Sequence, residues 1–189
     1  MTDLGGLGYG VSLGFGINAT GEAVGRSYLA QTVPTAGCPP RHTCVAHPAD
    51  PFSWIAGSMT DLGTLGGTNS FAFYGINPPG LIVGSSNTTG DVATHAFLWD
   101  KGTMTDLGTL GGTFSTADGI NPQGQVVGFS DTSTSTLFRA VLWDNGAITD
   151  LGTLGGPSGQ ATSINPQGQI VGFSVTTGGE THATLWTVK

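Results

Sequence analysis

The residues best suited to chemistry are gathered in one segment, LAQTVPTAGCPPRHTCVAHPAD, which covers residues 29–50. In a chain that is only 9% charged, this segment holds a large share of the ionisable groups, namely Arg41, His42, His47 and Asp50. Histidine can titrate near neutral pH, so it can act as a base or contact a ligand. We expect these four residues to be candidate ligand contacts. The alternative is a tolerated surface insertion, because added loop residues cost little stability.

A catalytic interpretation would make the chain a hydrolase or lyase. A histidine of the segment, His42 or His47, would be the base, and a carboxylate, Asp50 or Asp118, would be its partner. One motif, GVSLG at residues 10–14, matches G-x-S-x-G, but the nucleophile elbow needs a strand–turn–helix context that is missing here. No cofactor motif is present. The sequence therefore favours a protein without catalytic residues or cofactor.

The two cysteines, Cys38 and Cys44, lie close together in the Pro-rich stretch GCPPRHTC. Such a pair predicts a local disulfide and an oxidising compartment. Closing so short a loop contributes about 2 kcal/mol in the chain-entropy model. Free thiols are one alternative, and a metal half-site with His42 and His47 is another. No second cysteine pair exists to complete a zinc site, so we expect no metal.

Composition excludes several classes of partner. The net charge is −7, with five Lys and Arg and no basic cluster, so we expect neither nucleic acid nor an anionic membrane surface as a partner. No apolar run approaches the length of a transmembrane helix. The first residues, MTDLGGLGYG, lack the regions of a signal peptide. If the protein is exported, we expect its leader to be absent from this sequence.

The strongest signal is an internal repeat. MTDLG begins at Met1, Met59 and Met104, and ITDLG begins at Ile148, at spacings of 58, 45 and 44 residues. An Ile-Asn turn, a Val-Gly segment and a tryptophan follow in the same order in every copy. We therefore interpret residues 1–189 as a single domain of four units, 1–58, 59–103, 104–147 and 148–189, with the insertion 29–50 in the first.

Each unit contains four short strand-like segments, labelled A to D. In the third unit they are Ser115–Asn121, Gln125–Ser130, Phe138–Asp144 and Ile148–Leu154. Turn residues separate them, Asn-Pro-Gln-Gly between A and B and Asp-Asn-Gly between C and D. Four short strands in every 40 to 50 residues are typical of propeller blades. The sequence predicts an all-β fold, a small β-propeller with four blades of four antiparallel strands.

The ends of the chain predict how the propeller closes. The chain begins with a D segment and stops after a C segment, so we expect Met1–Leu4 to pair with residues 184–188 and complete the last blade. The alternatives are two chains sharing an eight-bladed ring, a fragment of a longer propeller, and an open solenoid. The chain is then a monomer or a homo-oligomer that shares a ring.

The pattern TDLGTLGG, INPQGQVVG and HAFLW resembles the HAF-type extracellular repeat, whose His-Ala-Phe tripeptide stands here at His95, Ala96 and Phe97. The resemblance covers nearly the whole chain. It implies an exported, mostly bacterial repeat protein and implies no reaction. The first unit departs most, because Asp50 replaces the histidine and the insertion interrupts the unit.

The position four residues before each tryptophan recurs as Asp50, His95, Arg139 and His182. We expect these residues to form a rough ring at the start of the C strands. They are either ligand contacts or polar residues hydrogen-bonded to a neighbouring strand. We interpret two other recurring types structurally: the tryptophans as core residues, and Asp3, Asp61, Asp106 and Asp150 as turn-forming carboxylates, since each copy supplies too few oxygens for calcium.

Propeller geometry places the divergent B–C loops and the D–A loops on one face. Function tends to lie on variable loops of a rigid scaffold. We therefore expect a secreted, non-catalytic binding module whose loop face, rich in Ser, Thr and Gly, recognises a glycan or another cell-surface polymer. A structural building block of an extracellular assembly is a further alternative.

Overall fold

The described residues form β-strands joined by short turns. The computed structural model describes residues 1–29, 33–34, 45–46, 48–73 and 75–187, with the backbone alone at 9, 33–34, 45–46 and 135–136. The fold is all-β, as predicted, and the described strands pair into a four-stranded, an eight-stranded, a three-stranded and a two-stranded sheet. For reference we divide them by the sequence repeat into four groups, which we call blades 1 to 4. No helix in the described part of the chain is long and apolar enough to cross a membrane.

Blades 1 and 2 each contain four antiparallel strands in sequential order. Blade 1 comprises β1 (Gly8–Ile17), β2 (Ala23–Leu29), β5 (Ala49–Ile55) and β6 (Ser58–Asp61), and the insertion contributes a short pair, β3 (Val33–Pro34) and β4 (Val45–Ala46). Blade 2 comprises β7 (Gly66–Phe71), β8 (Ile82–Thr88), β9 (Thr94–Asp100) and β10 (Thr103–Gly108). A 3-10 turn at Thr89–Asp91 links β8 and β9.

Blade 3 repeats this arrangement and blade 4 lacks its outer strand. Blade 3 comprises β11 (Gly111–Ile120), β12 (Val126–Thr132), β13 (Ser135–Asp144) and β14 (Ala147–Asp150), and a single parallel bridge joins Phe114 to Thr94 of blade 2. Blade 4 comprises β15 (Gly155–Ile164), β16 (Gln169–Thr176) and β17 (Thr181–Thr187). Residues 1–6 form no strand, and within the described chain β17 pairs with β16 alone.

The C–D turns explain how the outer strands form hairpins. Their central pairs are Ala56-Gly57, Lys101-Gly102 and Asn145-Gly146, and both residues of each pair have positive φ. Two consecutive positive φ values define the type I′ turn, whose twist matches that of antiparallel strands. Gly, or Asn before it, adopts this conformation most easily, so the Asp-Asn-Gly signal of the third unit correctly predicted its hairpin.

The recurring Val-Gly landmark marks a close approach of the A and B strands. A Cβ added to Gly84 would lie 1.9 Å from the carbonyl oxygen of Phe71, and one added to Gly128 would lie 2.0 Å from that of Thr116. Gly128 also lies opposite Ala117, next to a register shift in the A strand of blade 3. Only glycine fits there, because any side chain would collide with the backbone.

The core lies between neighbouring blades. In blades 1 to 3 the valine of the Val-Gly pair packs on the following blade: Val24 on Ala72 and Ile82, Val83 on Ala117 and Val126, and Val127 on Ala161 and Ile170. Trp143 is buried in one of these clusters, and Trp99 and Trp186 pack against the other two. This confirms the core interpretation for those tryptophans, and it shows that each blade is stabilised by its neighbours.

Asparagine side chains connect the blades at the A–B turns. Asn18 Nδ2 donates to the carbonyl oxygen of Asn77, Asn77 Nδ2 to that of Asn121, and Asn121 Nδ2 to that of Asn165, at 3.3, 3.0 and 3.3 Å. The Oδ1 atom of each asparagine accepts a backbone N–H within its own turn. One residue therefore fixes the turn and also the spacing to the next blade.

Candidate ligand-binding site

The ring of residues before the tryptophans faces the outer strands. His95 Nδ1 lies 2.8 Å from Asp106 Oδ2, and Arg139 Nε donates to Asp150 Oδ2 at 3.0 Å. Each pair joins a C strand to the D strand beside it, and the predicted ligand-contact role of His95 and Arg139 stays a prediction. His182 occupies the same position in blade 4, where no D strand lies beside β17 among the described residues.

Asp50 occupies this position in blade 1 and faces a like charge. It is buried, and its Oδ1 atom has no hydrogen-bond partner among the described residues. Burial, and secondarily the nearby Asp61 carboxylate, raise the pKa of Asp50 to about 6. At this position blade 1 therefore has two carboxylates facing each other, whereas blades 2 and 3 have a histidine or an arginine facing a carboxylate.

The remaining candidates of the insertion, Arg41, His42, His47, Cys38 and Cys44, lie outside the described residues. The predicted ligand contacts, catalytic bases and disulfide at these positions stay predictions. Asp50 and Asp118 line separate clefts, because Asp50 lies on β5 of blade 1 and Asp118 on β11 of blade 3.

The repeated aspartates fix the D–A loops. The amide nitrogens of Gly5, Gly63, Gly108 and Gly152 each donate to the aspartate two residues earlier, at 2.7 to 2.9 Å. This confirms that Asp3, Asp61, Asp106 and Asp150 are turn-forming. Ser12 lies within β1 and its Oγ donates to the carbonyl of Gly5, so GVSLG is a strand position.

The loop face carries shallow clefts lined by backbone and hydroxyl groups. The cleft in blade 3, of about 670 Å³, lies between residues 111–113 and 131–134. Asp131 is buried beside it and accepts the amide protons of Thr113 and Phe114. The hydroxyl side chains that line the cleft are those of Thr113, Thr132, Ser133 and Thr134, and Thr132 Oγ1 lies 3.4 Å from Thr134 Oγ1.

A second region, on the inner strands, combines aromatic rings with a cation. The Arg26 guanidinium lies 5.9 Å from the ring centre of Phe15, 5.5 Å from that of Tyr28 and 5.7 Å from that of Phe71. These distances are those of cation–π contacts. Arg26 Nε is buried and has no hydrogen-bond partner among the described residues.

The aromatic cluster continues into a cleft between the inner strands of blades 2, 3 and 4. Phe73 contacts Phe15 and Phe71 at ring-centre distances of 5.2 and 5.8 Å, and it lines a cleft of about 310 Å³. Asp118, Gln160 and Thr162 complete the lining. We call the cluster and this cleft the inner site.

The polar side of the inner site is a carboxyl–amide pair. Gln160 Nε2 donates to Asp118 Oδ2 at 2.7 Å across two blades. Burial raises the pKa of Asp118 to about 6, and the Gln160 hydrogen bond opposes this shift. The sequence indicated Asp118 but missed the aromatic rings, although Phe15 stands where the third and fourth copies have Asp118 and Thr162.

Comparison with solved structures supports the propeller fold. The chain is similar to the β-propeller domain of the Trilobed protease from Pyrococcus furiosus, with a TM-score of 0.55 and 12% identity over 96% of this chain and 54% of that one. It is also similar to TolB from Acinetobacter baumannii, with a TM-score of 0.51 and 14% identity over 72% of this chain and 35% of that one. The chain therefore spans about half, or less, of the structures it matches. No protein-family model and no curated protein matches it.

Proposed function

We propose that this chain is a non-catalytic binding module that recognises a neutral glycan, or a surface polymer of similar chemistry, at the inner site. The observation that carries the proposal is one cleft that combines the Phe73 ring, packed against Phe15 and Phe71, with the Asp118–Gln160 pair. The C–H faces of sugar rings pack on aromatic rings, and carboxyl and amide groups bond to sugar hydroxyls. Binding sites in general combine apolar walls with a few polar groups in this way.

The loop-face prediction remains part of this proposal. A polymer is longer than one cleft, and the hydroxyl-lined cleft of blade 3 offers further neutral contacts. Extracellular location, the HAF-type resemblance and the Cys38–Cys44 disulfide are parts of the same proposal. A thiol titration of the purified protein, with and without reductant, tests the disulfide.

No observation favours the hydrolase or lyase. Its two carboxylate candidates, Asp50 and Asp118, line different clefts of the described chain. The sequence predicted that four blades close within one chain, with Met1–Leu4 as the last outer strand. We propose instead that this strand pairs with a second copy of the chain.

Calorimetric titration tests the proposed function with cellohexaose, xylohexaose and chitohexaose as neutral probes and a polygalacturonate oligomer as the acidic one. We expect a neutral probe to bind, and Phe73→Ala to weaken it by about tenfold or more, because one ring–sugar contact is lost. The matched control is Ile55→Ala, since Ile55 is similarly exposed (45% against 38%) but lies at a C–D turn. Equal effects of the two variants, or no binding of a neutral probe, would contradict the proposal.

The pH dependence of this titration tests Asp118. A ligand hydroxyl that bonds to the charged carboxylate binds the deprotonated protein better. Affinity should therefore fall as pH drops below the pKa of about 6. Asp118→Asn should remove this dependence. A pH-independent affinity in the unmodified protein would exclude Asp118 as a contact.

A further inference from the structure

The outward face of blade 4 exposes apolar residues that are buried in the preceding blade. Val171 and Leu185 are 47% and 59% exposed. Their repeat equivalents in blade 3, Val127 and Leu142, are 0% and 3% exposed because blade 4 packs on them. Blade 4 therefore presents the surface of an inter-blade interface without the following blade.

Blade 1 presents the complementary face. Ile17 is 71% exposed, whereas its repeat equivalent Ile164 is 8% exposed and packs on blade 3. Ile76 and Ile120 occupy the same position and pack against the inter-blade clusters. Ile17 is thus the member of this set that no preceding blade covers in the described structure.

The asparagine ladder is also incomplete at both ends. Asn121 Nδ2 donates both to Gln125 Oε1 within its own turn and to the carbonyl of Asn165 in the next blade, whereas among the described residues Asn165 Nδ2 makes only the first kind of bond, to Gln169 Oε1. Within the described chain, the carbonyl of Asn18 accepts from Gly21 and receives no amide from a preceding blade. Blade 4 therefore has a side-chain amide donor, and blade 1 a backbone carbonyl acceptor, that make no inter-blade hydrogen bond within the described chain.

The exposed edge of β17 fits the N-terminal residues in a defined register. In blade 3, Leu142 pairs with Thr149 and Trp143 with Ile148. The repeat aligns MTD at residues 1–3 with ITD at 148–150, so Thr2 would stand opposite Leu185. Asp3 would then face His182, as Asp106 faces His95.

We propose that these two ends bind each other between two copies of the chain. Blade 4 of one copy packs on blade 1 of the second, residues 1–3 of the second copy form the missing outer strand, and Asn165 donates to the second copy's Asn18. The contact is head-to-tail, and repeating it once closes a ring of eight blades.

Two observations favour a second copy over closure of the chain on itself. The match to the Pyrococcus propeller covers 96% of this chain and 54% of that one, so four blades correspond to about half of that propeller. In a closed four-bladed ring, β17 would contact residues 1–4, yet those residues form no strand. A second copy supplies the other half.

Light scattering coupled to gel filtration tests the proposal. We expect twice the mass of one chain, and Leu185→Asp should weaken the dimer by about a hundredfold or more, because it buries an unpaired charge. The control is Val92→Asp, on an exposed residue of blade 2 far from both ends, which should leave the mass unchanged. Circular dichroism checks that both variants are folded. An unmodified chain that stays monomeric at all concentrations overturns the proposal.

A disulfide distinguishes a second copy from closure of one chain. In a Cys38→Ala, Cys44→Ala background, Thr2→Cys and Leu185→Cys are introduced together and oxidised. We expect a covalent product with twice the mass of the chain. A product with the mass of one chain and no remaining thiol would mean that the chain closes on itself, which overturns the proposal. Mixing the two single variants should also give a covalent heterodimer.

Discussion

The interface between blades 3 and 4 and the outward face of blade 4 are built from nearly the same residues but differ in burial. The side chains of Val127, Ala140 and Leu142 are buried against blade 4, whereas those of Val171 and Leu185 are exposed to solvent. The inner strand of the following blade makes the difference. In a repeat fold, a residue's contribution to stability therefore depends on whether its unit has a neighbour.

The largest difference should appear when the two equivalent leucines are truncated. Leu142→Ala removes a buried side chain and should lower the free energy of unfolding by about 3 kcal/mol. Leu185→Ala should cost under about 1 kcal/mol in the monomer, since that side chain is already hydrated. Urea unfolding at a protein concentration low enough to hold the chain monomeric measures both values. Equal losses would show that the outward face is covered within one chain.

The asparagine ladder gives a second and smaller contrast. Asn121→Ala removes buried hydrogen bonds within its turn and across to blade 4, and should cost about 2 kcal/mol. Asn165→Ala removes the bonds within its own turn, so its cost should be lower by about 1 kcal/mol. The same urea titration measures the difference. In the proposed dimer the stability losses of Asn121→Ala and Asn165→Ala should become similar, because Asn165 then also donates a hydrogen bond across a blade interface.

The sequence predicted the blades well because every copy carries the same local signals. In the third unit, the predicted C segment Phe138–Asp144 lies within β13, and the Asp-Asn-Gly hairpin formed as expected. The predicted D segment Ile148–Leu154 was too long. The strand ends at Asp150, because that side chain accepts the Gly152 amide and turns the chain.

The site was less predictable because its contacts join different blades. The sequence identified Asp118 as a candidate carboxylate, but its partner Gln160 lies 42 positions away and belongs to no motif. The aromatic rings around the Arg26 guanidinium likewise belong to two blades, blade 1 and blade 2. Local patterns do not encode such contacts, since they depend on how far each blade turns relative to the last.

The mismatched pair in blade 1 predicts a stabilising substitution. The folded pKa of Asp50, about 6, exceeds its ordinary value of 3.8, so the folded state binds the extra proton and stability falls as pH rises between these values. Asp50→Asn should flatten this fall and raise stability at pH 7.5 by on the order of 1 kcal/mol. Thermal unfolding from pH 4 to 8 measures it. Asp61→Asn should raise stability less, because burial contributes more than the Asp61 charge to the raised pKa of Asp50. If the pH dependence of stability were unchanged in Asp50→Asn, this explanation would be wrong.

The C–D turns should give the smallest effect, and it should be the same in an end blade and an inner blade. Ala56 in blade 1 and Lys101 in blade 2 both hold positive φ values of 51° and 46°, which asparagine adopts more easily. Ala56→Asn and Lys101→Asn should each raise the free energy of unfolding by about 0.5 kcal/mol. The gain arises within four residues, so a missing neighbour should not alter it. A stability gain from Lys101→Asn but not from Ala56→Asn would mean that the backbone of the end blade differs from that of an inner blade. The absent neighbouring blade would then not be the only cause of the difference in burial.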